Sequence, residues 1–335
     1  MTQIRLAVVG LLALSGCGGG SSGGGGGTTD PPPTGGGAPA YVRLSEAGLY
    51  TDIASKALAP DLLDFQPTHF LWSDGSDKQR WIRLPAGSQI DTSDIDRWQL
   101  PVGTQVFKEF SLGGVRLETR LIERYGAGPD DYWMGAFVWS ADGSDAIFAP
   151  DGAQNVLATA HDVPSTAQCL GCHRGEPGRL LGFTAVQLSR ERAGVTLDSL
   201  VAQGRLSVPP PAGATYTTPG DPTTAAAIGY LHANCGHCHS PQAIGFTSSN
   251  LELRLTTQAR TLEETGVYRT AVDQPLALPH GDFVFRIRPG FPEDSAIWGL
   301  MMTRDGTQQQ MPPIATEFAD PTGLELVASW IRSLE

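Results

Sequence analysis

Cys169, Cys172 and His173 stand in the run Cys-Leu-Gly-Cys-His, and the same types at the same spacing recur at Cys235, Cys238 and His239 in Cys-Gly-His-Cys-His. Two thiols three positions apart can form thioethers to the two vinyl groups of one porphyrin, and the imidazole that follows meets the iron from the same side. The spacing therefore points to two covalent c-type haems. Of the five cysteines only Cys17 lies outside these motifs. A four-cysteine zinc site built from the two C-X-X-C pairs is compatible with their separation but leaves both histidines idle. A thioredoxin-like redox pair needs a βαβ context, which neither motif has.

The chain opens with Arg5, an apolar run Leu6–Leu14 and then Leu14-Ser15-Gly16-Cys17, the pattern of a lipoprotein signal peptide. Residues 1–16 are read as the cleaved signal and Cys17 as the acylated first residue of the mature chain, so the apolar run is not a membrane span. Gly18, in place of an aspartate after the cysteine, favours anchoring in the outer membrane, facing the periplasm or the cell surface. Export also suits covalent haem, which is attached outside the cytoplasm. Residues 17–38 are almost all Gly, Ser, Thr and Pro, a composition that cannot bury a core and serves as a flexible tether. The formal net charge of -12 argues against nucleic acid as a partner and favours a positively charged redox protein.

An α+β fold is expected. Residues 39–160 alternate with period two, as in Thr104–Leu112, Val115–Ile122 and Tyr132–Trp139, and read as an antiparallel sheet or sandwich. Hairpin turns are expected at Asp74-Gly75, Gly113-Gly114, Asp142-Gly143 and Asp151-Gly152. Trp72, Trp81, Trp98, Trp133 and Trp139 read as core or sheet-face residues, and the acidic turn Ser73–Asp77 lacks the full calcium-loop pattern. Residues 161–215 carry the first haem motif, a helical stretch near Thr196–Leu206 and the stop Pro209-Pro210-Pro211. Residues 216–335 carry the second. Asp221-Pro222 predicts a capped helix running into Cys235, and Asp320-Pro321 predicts a closing amphipathic helix with Leu324, Val327, Ile331 and Leu334 on one face.

This last third resembles a small class I cytochrome c domain: a helix entering the haem motif, Met311-Pro312-Pro313 well downstream, and a closing helix. The resemblance implies that Met311 is the sixth ligand of the second iron, with His173 and His239 the fifth ligands of the two irons. More widely, Leu71-Trp-Ser-Asp-Gly75, Lys78–Pro85, Val163-Pro-Ser165, Leu181-Gly182, Gln187-Leu188 and Tyr230–Cys235 resemble a family of exported bacterial dihaem c-type cytochromes. That implies electron transfer with no defined substrate.

No methionine lies between His173 and Cys235, which leaves the sixth ligand of the first haem open. His232 and His161 are the nearest imidazoles, Met134, Met301, Met302 and His280 are more distant, and His237 fits a spacer. With both irons fully ligated the protein is an electron carrier. With an open first iron it is a dihaem peroxidase-like oxidoreductase, which also needs an acid or base over the open face.

Overall fold

The period-two stretches form a meander. In the computed structural model, which describes residues 38–190, 192–305 and 310–334, β1 (Tyr50–Asp52) and β2 (Ala57–Leu58) make a short ribbon. Six further strands pair antiparallel in strict sequence order: β3 (Leu63–Asp64), β4 (Asp77–Arg83), β5 (Gln105–Leu112), β6 (Val115–Arg124), β7 (Tyr132–Trp139) and β8 (Ala146–Phe148). The proposed signal peptide, Cys17 and the tether up to residue 37 lie outside the described residues.

Gly113-Gly114, both at positive φ (56° and 82°), close the β5–β6 hairpin, where the matching twist needs residues without a Cβ penalty. Asp142-Gly143 lies in the β7–β8 connection. The other two dipeptides do not make tight hairpins. Asp74-Gly75 sits in the long connection between β3 and β4, and Asp151-Gly152 follows β8.

Both faces of the single sheet are covered. Trp81, Phe107, Leu121, Phe137 and Trp139 pack under Leu44, Leu49 and Tyr50 of the N-terminal segment. On the other side α1 (Thr166–His173), α2 (Ala185–Leu188) and α3 (Leu197–Ala202) follow the sheet in sequence. Phe183, Leu188, Leu197 and Leu200 share one core with Ile82, Val106, Phe65 and Trp98 of the β-rich part. The segment 161–215 thus buries many of its apolar residues in the sheet's core, and the described residues form one compact unit. Trp81, Trp98 and Trp139 are buried core residues and Trp133 packs half-buried against one of the cores, whereas Trp72 is half-buried and lines a cavity.

The remaining elements are α4 (Pro222–Asn234), α5 (Ile244–Ser249), α6 (Gly266–Ala271), the ribbon β9 (Pro275–His280) and β10 (Phe283–Phe285), α7 (Ala296–Met302) and α8 (Pro321–Ser333). Asp221 caps α4 by accepting from the N–H groups of Thr223 (2.9 Å) and Thr224 (3.3 Å). Asp320 caps α8 through Thr322 (3.0 Å). In each case proline follows, its missing N–H being one the first turn cannot use. Ile228 and Leu231 of α4 share a core with Val327, Trp330 and Ile331 of α8. No helix among the described residues is long and apolar enough to cross a membrane.

Helices α4 and α8 approach closely because position 323 has no side chain: a Cβ there would lie 2.3 Å from Cζ of Tyr230. Gly323→Ala is expected to force the helices apart and destabilise the folded chain by about 1–3 kcal/mol, the usual cost of overpacking. Urea denaturation checks this, and a midpoint equal to wild type would show that the contact yields freely.

Candidate functional site

Ser165 starts α1. Its Oγ accepts from the Gln168 N–H (3.3 Å) while Gln168 Oε1 accepts from the Ser165 N–H (2.8 Å), a reciprocal cap. The helix then carries Cys169, Cys172 and His173 on its last turns. The second motif begins where α4 ends, with Cys235 at the C-cap and the N–H groups of Cys238 and His239 both bonded to the Cys235 carbonyl (3.1 and 2.9 Å). Side chains of both motifs converge. Cys169, Cys172, His173, Cys235, Cys238, His239 and Met311 all line a single cavity of about 360 Å³, within the size range of cofactor pockets.

The motif histidines are oriented from behind. His173 Nδ1 lies 2.6 Å from the Arg179 carbonyl, to which it can only donate, so the neutral ring has its lone pair on Nε2. Arg179 holds this carbonyl from a left-handed backbone conformation (φ 54°), and its guanidinium is tied to Asp130 (2.7 Å). His239 Nδ1 lies 3.4 Å from Ser249 Oγ. Burial holds both rings well below the ordinary imidazole value, at about 4, so they are neutral and able to ligate near pH 7.

Met311 sits in a braced loop. Its N–H donates to the Leu300 carbonyl (3.0 Å), and the buried Gln310 donates to the Thr316 carbonyl (3.1 Å). The segment Leu71–Gly75, which had no chemical role in the sequence, braces this region from the β-rich side. The Trp72 N–H donates to Asn234 Oδ1 (2.7 Å), beside Cys235, and the Trp72 indole donates to the Phe318 carbonyl (3.0 Å). Asp74 Oδ1 accepts from the N–H groups of Glu317 (3.0 Å) and Phe318 (2.8 Å). The acidic turn is thus a clamp on the backbone just after the Met311 loop.

The two histidines considered for the first haem are placed for other work. His161 does not line the cavity; its Nε2 meets Glu118 Oε2 at 3.0 Å in the sheet. Burial pushes the Glu118 carboxyl up, but Arg120 and His161 more than reverse this, and it stays below the ordinary carboxylate value. His232 does line the cavity, yet its Nδ1 accepts from the Leu255 N–H (3.0 Å). Its neutral ring therefore carries the proton on Nε2, the tautomer of a hydrogen-bond donor and not of an iron ligand. Of the more distant candidates, Met301 is in the core, Met302 is exposed, and His280 does not line the cavity. Met134 does, from the middle of β7, against which α1 packs.

Further wall residues escaped the sequence reading. Arg80, Lys108 and Arg120 come from the sheet, and Glu176 pairs with Arg254 in a buried ion pair between the end of the first motif and the loop after the second. Lys108 and Arg120 were detectable in principle, as cations alternating with apolar residues on a strand face that must be covered. His237, expected as a spacer, joins Cys172 and Cys238 in a group whose ligand atoms lie within 4.8 Å of one another. Within that group the hydrogen bond between the two thiols draws the Cys172 thiol down and pushes the Cys238 thiol up. These acidities belong to the precursor chain, since in a haem protein the sulfurs would be thioethers.

Comparison of the chain with family models, with curated proteins and with solved structures found no match.

Proposed function

We propose that this chain is an exported dihaem c-type cytochrome that transfers electrons and is lipid-anchored through Cys17. The observation that carries the reading is the convergence of both complete motifs and Met311 on one cavity, with both histidines met at Nδ1 and the Nε2 lone pair of His173 available. Cys169, Cys172 and His173 would hold one haem, and Cys235, Cys238, His239 and Met311 the other. Bound there, the haems supply one-electron redox chemistry; the protein supplies attachment, ligands and a largely apolar wall. The close packing of α4 on α8 at Gly323 agrees with a class I cytochrome c-like region over residues 216–335.

Carrier is favoured over peroxidase-like enzyme. Met134 offers the first haem a thioether from the cavity wall, which would leave that iron no open face for substrate. The redox partner would be a protein drawn to this acidic chain, and nucleic acid is not expected to bind. A second reading rests on the grouping of Cys172, His237 and Cys238, which supplies three donors suited to zinc. It leaves Cys169, His173, Cys235, His239 and Met311 without a task, and the haem reading accounts for more of the site.

Expression in a host competent for c-type maturation separates these. Haem retained on a denaturing gel, a mass increase of two haems and sharp α and β bands on reduction are the expected result. Unmodified polypeptide with free thiols or stoichiometric zinc would overturn it.

A further inference from the structure

The register of the sheet sets three cations side by side. Arg80 of β4 is directly opposite Lys108 of β5, which is directly opposite Arg120 of β6, and all three line the cavity that holds both motifs. Facing residues in neighbouring strands have Cβ atoms about 5 Å apart, and like charges placed so are destabilising. Arg120 is offset by Glu118, whose Oε2 lies 2.9 Å from its Nη2. Neither Arg80 nor Lys108 has an ion-pair partner among the described residues: Arg80 reaches only the neutral Gln66 (3.2 Å), and the Lys108 ammonium rests 4.7 Å from the centroid of the Phe110 ring. Burial pushes the Lys108 ammonium well below its ordinary value and the Arg80 guanidinium below its own, so this wall keeps its charge only with a counter-ion from outside the polypeptide.

The neighbouring row of the same face is apolar. Ile82, Val106, Ile122 and Met134 are in register across β4 to β7, two residues along each strand from the cationic row, or about 7 Å away. The wall therefore has a greasy band edged by positive charge, complementary to a flat apolar ring that carries carboxylates on one edge.

We propose that Arg80, Lys108 and Arg120 form a carboxylate clamp that binds the propionate edge of the haem attached at the first motif, and that it raises the reduction potential of that haem by neutralising the carboxylate charge beside it. This rests on the haem reading above. It is tested on the full matured chain by equilibrium redox titration of Arg80→Gln and Lys108→Gln, separately and together, with mass spectrometry counting attached haems. Lys108→Arg keeps the charge, and Lys56→Gln removes a lysine from the opposite face of the sheet.

With both haems still attached, each Gln variant is expected to favour the ferric form of one haem by about tenfold, or about 59 mV for one electron. Lys108→Arg and Lys56→Gln should titrate like wild type. Two attached haems with unchanged potentials in the double variant would overturn the clamp while leaving the cytochrome reading intact; a chain without haem would defeat the cytochrome reading itself. If the row instead holds a free anion, added inorganic phosphate will shift the wild-type potential and the Gln variants will not respond, which also overturns the clamp.

Discussion

Met311→Ala is expected to convert one of two low-spin haems to a high-spin, carbon monoxide-binding form and to lower its potential by a sizeable part of the roughly 0.8 V that axial ligands command. A thioether opposite histidine raises the potential relative to other pairings, so its loss acts on spin state and potential together. The effect should be large because the loop is braced independently of the methionine side chain: the Met311 N–H to Leu300 bond and the Asp74 clamp both persist in the variant. Among the described residues the other methionine lining the cavity is Met134, which the proposal assigns to the first haem. Met134→Ala should act on the other haem, and the double variant should show two high-spin haems. Reduced spectra with and without carbon monoxide are the measurement. A Met311→Ala protein with two unaltered low-spin haems would remove Met311 from the ligand set.

Glu176→Gln is expected to destabilise the folded protein by about 3–5 kcal/mol, the loss seen when one partner of a buried ion pair is removed and the other is left charged. Both side chains are more than nine-tenths buried, at 7 % and 9 % exposure, so solvent screening offers little relief. Arg254 also reaches the Asp96 carbonyl, and Asp96 in turn accepts from the Thr257 N–H (2.7 Å). The pair therefore ties three stretches of chain: the end of the first motif, the Asp96 loop and the strand-like segment after the second motif. Urea denaturation of wild type, both single variants and Glu176→Gln/Arg254→Met gives the coupling energy. A double variant more stable than either single one is expected, because it leaves no isolated charge. Additive losses would show that the two groups act separately.

The helices around the haem motifs were legible from local rules. Ser165, Asp221 and Asp320 are cap residues whose side-chain oxygens satisfy first-turn N–H groups a few positions on, and such contacts need only the neighbouring sequence. The strands were legible for the same reason, since alternation is local. Turn chemistry was legible only in part. Gly113-Gly114 makes its hairpin with its immediate flanks, whereas Asp74 spends its carboxylate on N–H groups at Glu317 and Phe318, far along the chain.

The ligand question shows the same divide. On the proposed haem reading one porphyrin would reach three side chains at once, so the residue following each C-X-X-C, His173 or His239, could be named directly. On the same reading a sixth ligand would come from a distant segment. Nearness in sequence favoured His161 and His232, but their partners, Glu118 and the Leu255 N–H, come from β6 and from the loop after the second motif. Met134 enters the wall through strand pairing opposite Ile122.

Residue types and short spacings thus determined the two C-X-X-C-H motifs, the capped helices and the alternating strands, because each is a pattern closed within a few residues. Tertiary structure alone decided that both motifs share one cavity, that Arg80, Lys108 and Arg120 stand in one row, and that the β-rich part braces the Met311 loop. Those relations depend on sheet register and on contacts between distant segments, and a shift of one residue in β4, β5 or β6 would turn that strand's cation to the opposite face.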